Sequence, residues 1–174
     1  MGKKFSFGIS SFFGLDSRSS RDILIDTNIF LEMLLGGSKA EQCKTLLHMI
    51  SEGRAESAVT HFSIHSVEAI MRNNGGELTS FLRALDQTVG LYVFDTTLAD
   101  EVSASILTGT TKLDFDDAIQ YYAAKKLGAA AIVSFDHDFD ERDIPRLEPH
   151  RSGRQAGSRD TTVALSVSHM GRPV

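Results

Sequence analysis

The sequence predicts an α/β fold built on a parallel sheet, and three observations carry that expectation. Short apolar runs alternate along the chain with stretches of helical spacing, the pattern of strands joined by crossover helices. The first run, Ile23-Leu24-Ile25, is apolar at every position, as a parallel strand covered on both faces must be. It ends in Asp26, and in open sheets of this kind ligands gather beyond the carboxyl ends of the strands.

Asp26-Thr27-Asn28 leads into helical spacing from Ile29 to Leu35, which Gly36-Gly37 stops. Ser38 is placed to cap a second helix running through Leu46, Leu47 and Ile50 to Gly53, so the two form a helical hairpin. Ala55 to Thr60 reads as a weaker strand, followed by a helix from about Ser63 to Met71 that carries Glu68 and ends at Asn73-Asn74-Gly75-Gly76. A helix through Leu78, Phe81, Leu82 and Leu85 leads into a third strand, Leu91 to Phe94. Asp95 then reads as the N-cap of helical spacing from Thr97 to Leu107.

Residues 113–127 have the best marked ends of all, with acids in the first turn, lysines in the last and Gly128 beyond. Ala129 to Val133 is a fourth strand, breaking into the acidic stretch Ser134 to Glu141.

A chain of 174 residues with 41% hydrophobic content can bury one sizeable core, assigned here to residues 21–148. Residues 1–20 form an arm with Phe5, Phe7, Phe12 and Phe13 behind Lys3 and Lys4, suited to docking on a partner or on the domain itself. Residues 149–174 form an arginine-bearing tail with little to bury, both expected to be flexible. Met1-Gly2 with Ser6 matches the spacing of an N-myristoylation signal, a pattern too short to decide anything. The net charge of −5 argues against binding nucleic acid through general basicity, but carboxylates that hold cations move the balance the same way. A nucleic-acid substrate is therefore not excluded.

Cys43 has no partner for an internal disulfide and reads as core packing in a reducing cytosol. No apolar run reaches the roughly 20 residues that span a bilayer, so the expected location is cytoplasmic, with no membrane partner.

Four acids stand out by position: Asp26 after the first strand, Glu68 within a helix, Asp117 opening another helix, and Asp136 after the fourth strand. Each has a plain alternative, as a helix cap, a solvated face, a dipole partner or a polar turn. If they converge, a cation must neutralise them. Two carboxylates about 4 Å apart repel by roughly 4 kcal/mol at an effective dielectric of 20. Oxygen ligands without cysteine or clustered histidine favour Mg²⁺ or Mn²⁺ over zinc, ions suited to in-line phosphodiester chemistry.

The segments "LIDTNIFLEML", "SVEAI", "DFDDAIQYYAAKKLG" and "AIVSFDHDF", in this order and at these intervals, resemble the PIN-domain ribonucleases, most nearly the VapC-type toxins, over roughly residues 22–148. The resemblance implies a three-layer α/β/α fold with a short central parallel sheet and a Mg²⁺- or Mn²⁺-dependent endoribonuclease. It implies Asp26, Glu68, Asp117 and Asp136 as the acidic set, Asn28 positioning Asp26 or water, Ser134 where relatives often have threonine, and Asp138 as an outer-shell ligand. The adjacent Asp116 leaves the frame ambiguous, and Asp117 is preferred because it directly precedes an alanine. It also implies an RNA substrate and, as partners, a cognate antitoxin docking on the hairpin from Asn28 to Glu52 and a second copy of the chain in a homodimer.

Other chemistries fit less well. Asp136, Asp138 and Asp140 begin like a calcium loop, but Glu141 stands where glycine is needed. His61 and His65 lack the glutamate of a metalloprotease helix and read as cap and surface residues. A phosphatase would want a second acid after the first strand, where Asn28 stands, and a non-catalytic RNA-binding scaffold would be expected to have lost one of the acids.

Overall fold

The computed structural model describes residues 23–150. The phenylalanine-bearing arm and the arginines of the tail lie outside the described residues. The order of elements is β1 (Ile23–Ile25), α1 (Thr27–Leu34), α2 (Ala40–Ser51), β2 (Ser57–Thr60), α3 (His61–Met71), α4 (Gly75–Asp86), β3 (Leu91–Phe94), α5 (Leu98–Thr111), α6 (Phe115–Leu127), β4 (Ala131–Val133), a 3-10 turn (His137–Phe139) and β5 (Arg146–Leu147). The strands form one parallel sheet in the order β3-β2-β1-β4-β5.

Why β1 is apolar throughout is visible in its two neighbours. Ile23 and Ile25 pack with Ile29, Phe30, Cys43, Leu46, Ile50, Val67 and Phe81 under α1 to α4. Leu24, pointing the other way, packs with Ala118, Tyr121, Ala124 and Ile132 under α6. Alternation along one strand thus feeds two cores, giving the three-layer α/β/α arrangement. Cys43 is fully buried, as its helical spacing implied, and burial pushes its thiol up to about 11.

Helix ends follow local chemistry, with a few departures from expectation. Asp114 caps α6 by accepting from the Asp117 N–H, and Gly128 closes it at φ 66°. The cap of α2 is Lys39, not Ser38, because Glu32 reaches back to accept the Lys39 N–H at 2.6 Å. α5 is capped by Thr97 in a reciprocal box with Asp100, which leaves Asp95 free to pair with His61. α3 begins two residues earlier than expected, with Thr60 accepting from the Ser63 N–H. β5 was not expected, since two residues are too few to show a period. Gly90, just before β3, lies so close to the Ala55 and Ile50 carbonyls that a Cβ there would fall 2.3 and 2.6 Å from their oxygens.

Two consequences of the topology position the site. The chain runs outward from β1 to β2 and β3 on one side, then returns to place β4 on the other, so β1 and β4 flank the point where strand order reverses. Their register pairs Ile25 with Val133, which sets Asp26 and Ser134 side by side at the strands' carboxyl ends.

Candidate functional site

Asp26 occupies the N-cap position of α1, yet its side chain makes no capping hydrogen bond. Instead its Oδ2 accepts from Ser134 Oγ at 2.6 Å and from Asn28 Nδ2 at 2.6 Å. Asn28 also donates to Ser134 Oγ at 2.8 Å, and its own carbonyl accepts the Phe135 N–H. Ser134 Oγ further accepts the Asp136 N–H at 2.9 Å, so one buried hydroxyl ties the ends of β1 and β4 together. Asn28 and Ser134 thus both donate to the Asp26 carboxylate. Asp26 is 5% exposed, and burial pushes its pKa up to about 6 against the Ser134 hydrogen bond, with the Asp136 charge adding to the rise.

Asp117, in the first turn of α6, is brought to the same place. Its carboxyl is pushed up to about 7, first by desolvation, then by the charges of Asp114, Asp136, Asp26 and Asp138. Carboxylate oxygens of Asp117, Asp136 and Asp138 lie within 4.8 Å of one another. Asp136 holds the 3-10 turn by accepting the Asp138 N–H at 2.9 Å, which turns Asp138 toward the group. The neighbouring Asp116 is raised by burial and by Asp114, but its oxygens are not part of this cluster.

Glu68 is placed differently. It lies half-buried on α3 and belongs neither to the three converging carboxylates nor to the charges acting on Asp117. Asp138 is one of the three.

Two supports were not read from sequence. A buried polar network joins α1, β2, α3 and α6: Gln120 Nε2 donates to Ser63 Oγ, Thr60 Oγ1 donates to Gln120 Oε1 at 3.2 Å, and Thr27 Oγ1 donates to Ser63 Oγ at 2.9 Å. Gln120 is 1% exposed, one helical turn from Asp117. A glutamine inside an otherwise apolar helix face is the signal that would have found it. Behind the acidic turn, Arg146 of β5 donates to the Ser134 carbonyl at 3.0 Å, to Asp140 at 2.6 Å and to Glu148 at 2.8 Å. Hydrogen bonding from Arg146 and His137 draws Asp140 down to about 2. The guanidinium is thus engaged by Asp140 and Glu148.

Carboxylates this close repel one another, at about 4.8 Å by roughly 3 kcal/mol for each ionised pair at an effective dielectric of 20. Desolvation is the first cause of the raised pKa values of Asp26 and Asp117, and the neighbouring carboxylates add to it. A hard divalent cation fits the all-oxygen donor set of Asp117, Asp136 and Asp138, with Asp26 beside it.

A family model described as "PIN domain" matches residues 23–145. Solved structures with a similar fold include a toxin–antitoxin complex from Klebsiella pneumoniae, 18% identical, with a TM-score of 0.59 over 74% of this chain and 98% of that one. Mycobacterium tuberculosis VapC20, described as a sarcin-ricin loop cleaving toxin, is 17% identical, with a TM-score of 0.57 over 68% and 93%. VapBC2 from Rickettsia felis, bound to a DNA fragment from its promoter, is 12% identical, with a TM-score of 0.54 over 72% and 97%. No curated protein matches by sequence. At these identities the structural likeness establishes the fold.

Proposed function

Since the chain belongs to the PIN-domain family, with the family model matching residues 23–145, we propose that it is a metal-dependent endoribonuclease and the toxin of a type II toxin–antitoxin pair. The observation that carries this reading is the convergence of Asp117, Asp136 and Asp138, with Asp26 beside them, at the reversal point of the sheet. Mg²⁺ or Mn²⁺ bound there would neutralise these carboxylates, polarise a phosphodiester oxygen and lower the pKa of an attacking water.

The chain's own residues supply the frame. Asn28 and Ser134 hold the Asp26 carboxylate in one orientation, so Asp26 would meet a cation bound there without reorganising. Asp117 and Asp136 present one oxygen each from a helix and a strand end, rigid elements that keep the donors in place. Asp138 completes the group. Glu68 is proposed as a residue that joins the acidic set once RNA and cation are bound, from its position on α3.

The antitoxin is the proposed protein partner, docking on the α1–α2 hairpin, because two of the solved neighbours are described as toxin–antitoxin assemblies. A homodimer and a cytoplasmic location are part of the same reading. Among the described residues, no helix is long and apolar enough to cross a membrane.

The test is cleavage of pooled cellular RNA by the purified protein with Mn²⁺, with Mg²⁺ and with chelator, alongside Asp26→Asn and Asp117→Asn. Cuts that require metal and vanish in both variants support the reading. Intact RNA under every metal condition, from a folded protein free of partner, would sink it.

A further inference from the structure

The helix start that carries Asp117 also carries one of a pair of aromatic rings that the chemistry above does not use. Phe115 is the first residue of α6, two before Asp117, and its side chain is 37% exposed. Phe62, the second residue of α3, follows the carboxyl end of β2 and meets Phe115 edge to face, with ring centroids 5.9 Å apart and planes at 76°. His61 and His65 extend the same stretch of α3, their rings parallel at 5.6 Å, with His61 held by Asp95 from the end of β3.

The pair is held in place from below. Ser63, next to Phe62, is hydrogen-bonded to Gln120 of α6, and the same serine takes up Thr60 and Thr27. The two helix starts that carry Phe62 and Phe115 are therefore locked together through buried hydrogen bonds. A rigid aromatic surface loses little entropy when a ligand covers it.

We propose that Phe115, backed by Phe62, is the stacking platform for an unpaired nucleobase of the RNA strand, and so a binding residue for that substrate. This deepens the nuclease reading and rests on it. A protein of net charge −5 has little general basicity with which to hold RNA by its phosphates away from the cation site. Base stacking supplies affinity without charge, and it selects single-stranded over paired RNA because only an unstacked base offers its face. The platform is carried by the starts of α3, which follows β2, and of α6, which also bears Asp117.

The experiment compares Phe115→Ala, Phe115→Leu and Phe115→Trp with the wild type on a short unstructured oligoribonucleotide carrying a fluorescent adenine analogue. Equilibrium quenching is read with Ca²⁺ in place of Mg²⁺, and KM and kcat are read with Mg²⁺ or Mn²⁺. Leucine preserves the apolar contact with Phe62 and removes only the aromatic face. The expected result is that Ala and Leu lose the quenching and raise Kd and KM roughly tenfold, with kcat within about twofold, while Trp binds at least as tightly as wild type. Three results overturn the platform: no quenching in the wild type, quenching kept in Phe115→Leu, or a fall in kcat at unchanged KM. The two readings fail separately. Quenching lost in Phe115→Leu with RNA uncut by the wild type leaves the platform standing and removes the nuclease; RNA cut equally by wild type and Phe115→Leu does the reverse.

Discussion

Asp26→Asn should stabilise the metal-free protein at neutral pH while abolishing cleavage. Burial and neighbouring charge lift Asp26 from 3.8 to about 6, so at pH 7 folding must keep an ionised carboxylate where a neutral group is preferred. Below about pH 4 the carboxyl is protonated both folded and unfolded, and no penalty exists. As pH rises, the unfolded chain gives up its proton first, and the folded state loses stability until its own carboxyl ionises near 6.

The shift of about two units corresponds to roughly 3 kcal/mol, all of it present above about pH 6.5. Asparagine keeps an oxygen to accept from Ser134 and Asn28 and carries no charge, so it escapes this loss. For a chain of this size, Tm at pH 7.5 in chelator should rise on the order of 10 °C above wild type. The gain should shrink toward zero at pH 4. Added Mn²⁺ should narrow it from the other side, since only the wild type has its full ligand set and binding stabilises the native state. Calorimetric scans across pH, with and without metal, make the measurement. A variant less stable than wild type at pH 7.5, or a difference that does not change with pH, would refute the reasoning.

Other consequences are open to direct measurement. Mn²⁺ affinity by titration calorimetry should tighten from pH 5 to pH 7.5, because Asp26 near 6 and Asp117 near 7 must give up protons to bind; an affinity flat in pH contradicts the site. Asp117→Asn should reduce RNA cleavage to background while Asp116→Asn retains most of it, since only Asp117 lies in the cluster, and equal losses would mean the frame is wrong. Ser134→Ala should cost about 1–3 kcal/mol in urea unfolding and reduce cleavage, by removing a hydrogen bond to the buried Asp26 and the acceptor of the Asp136 N–H, with Ser134→Thr recovering both. Gln120→Leu should cost a similar ~1–3 kcal/mol, because Ser63 and Thr60 lose a buried partner.

Much of this protein is legible in its sequence because periodicity and capping are local. Ile23 to Ile25 reads as a buried strand from its unbroken apolarity, and α6 is bounded by its acids, its lysines and Gly128. Those signals, with the order of the four motifs, also place Asp26, Asn28, Asp117, Ser134 and Asp136 at element ends facing one side of the sheet. What they leave open is which side chains meet.

Strand order and register settle that, and both are long-range. Pairing Ile25 with Val133 sets Ser134 against Asp26 across more than a hundred residues of chain. The turn that Asp136 caps brings Asp138 into the group, while the placement of α3 keeps Glu68 outside it. Arg146 reaches Ser134 only because β5 pairs with β4, and two residues carry no period to announce the strand. Gln120 finds Ser63 because α6 packs on β1 and β4, which brings Gln120 to Thr60 at the end of β2. The sequence determined the helices and the first four strands and the chemistry at their tips; the tertiary structure decided which tips converge, since a pattern along the chain reports burial, and distance in space depends on how separate elements pack.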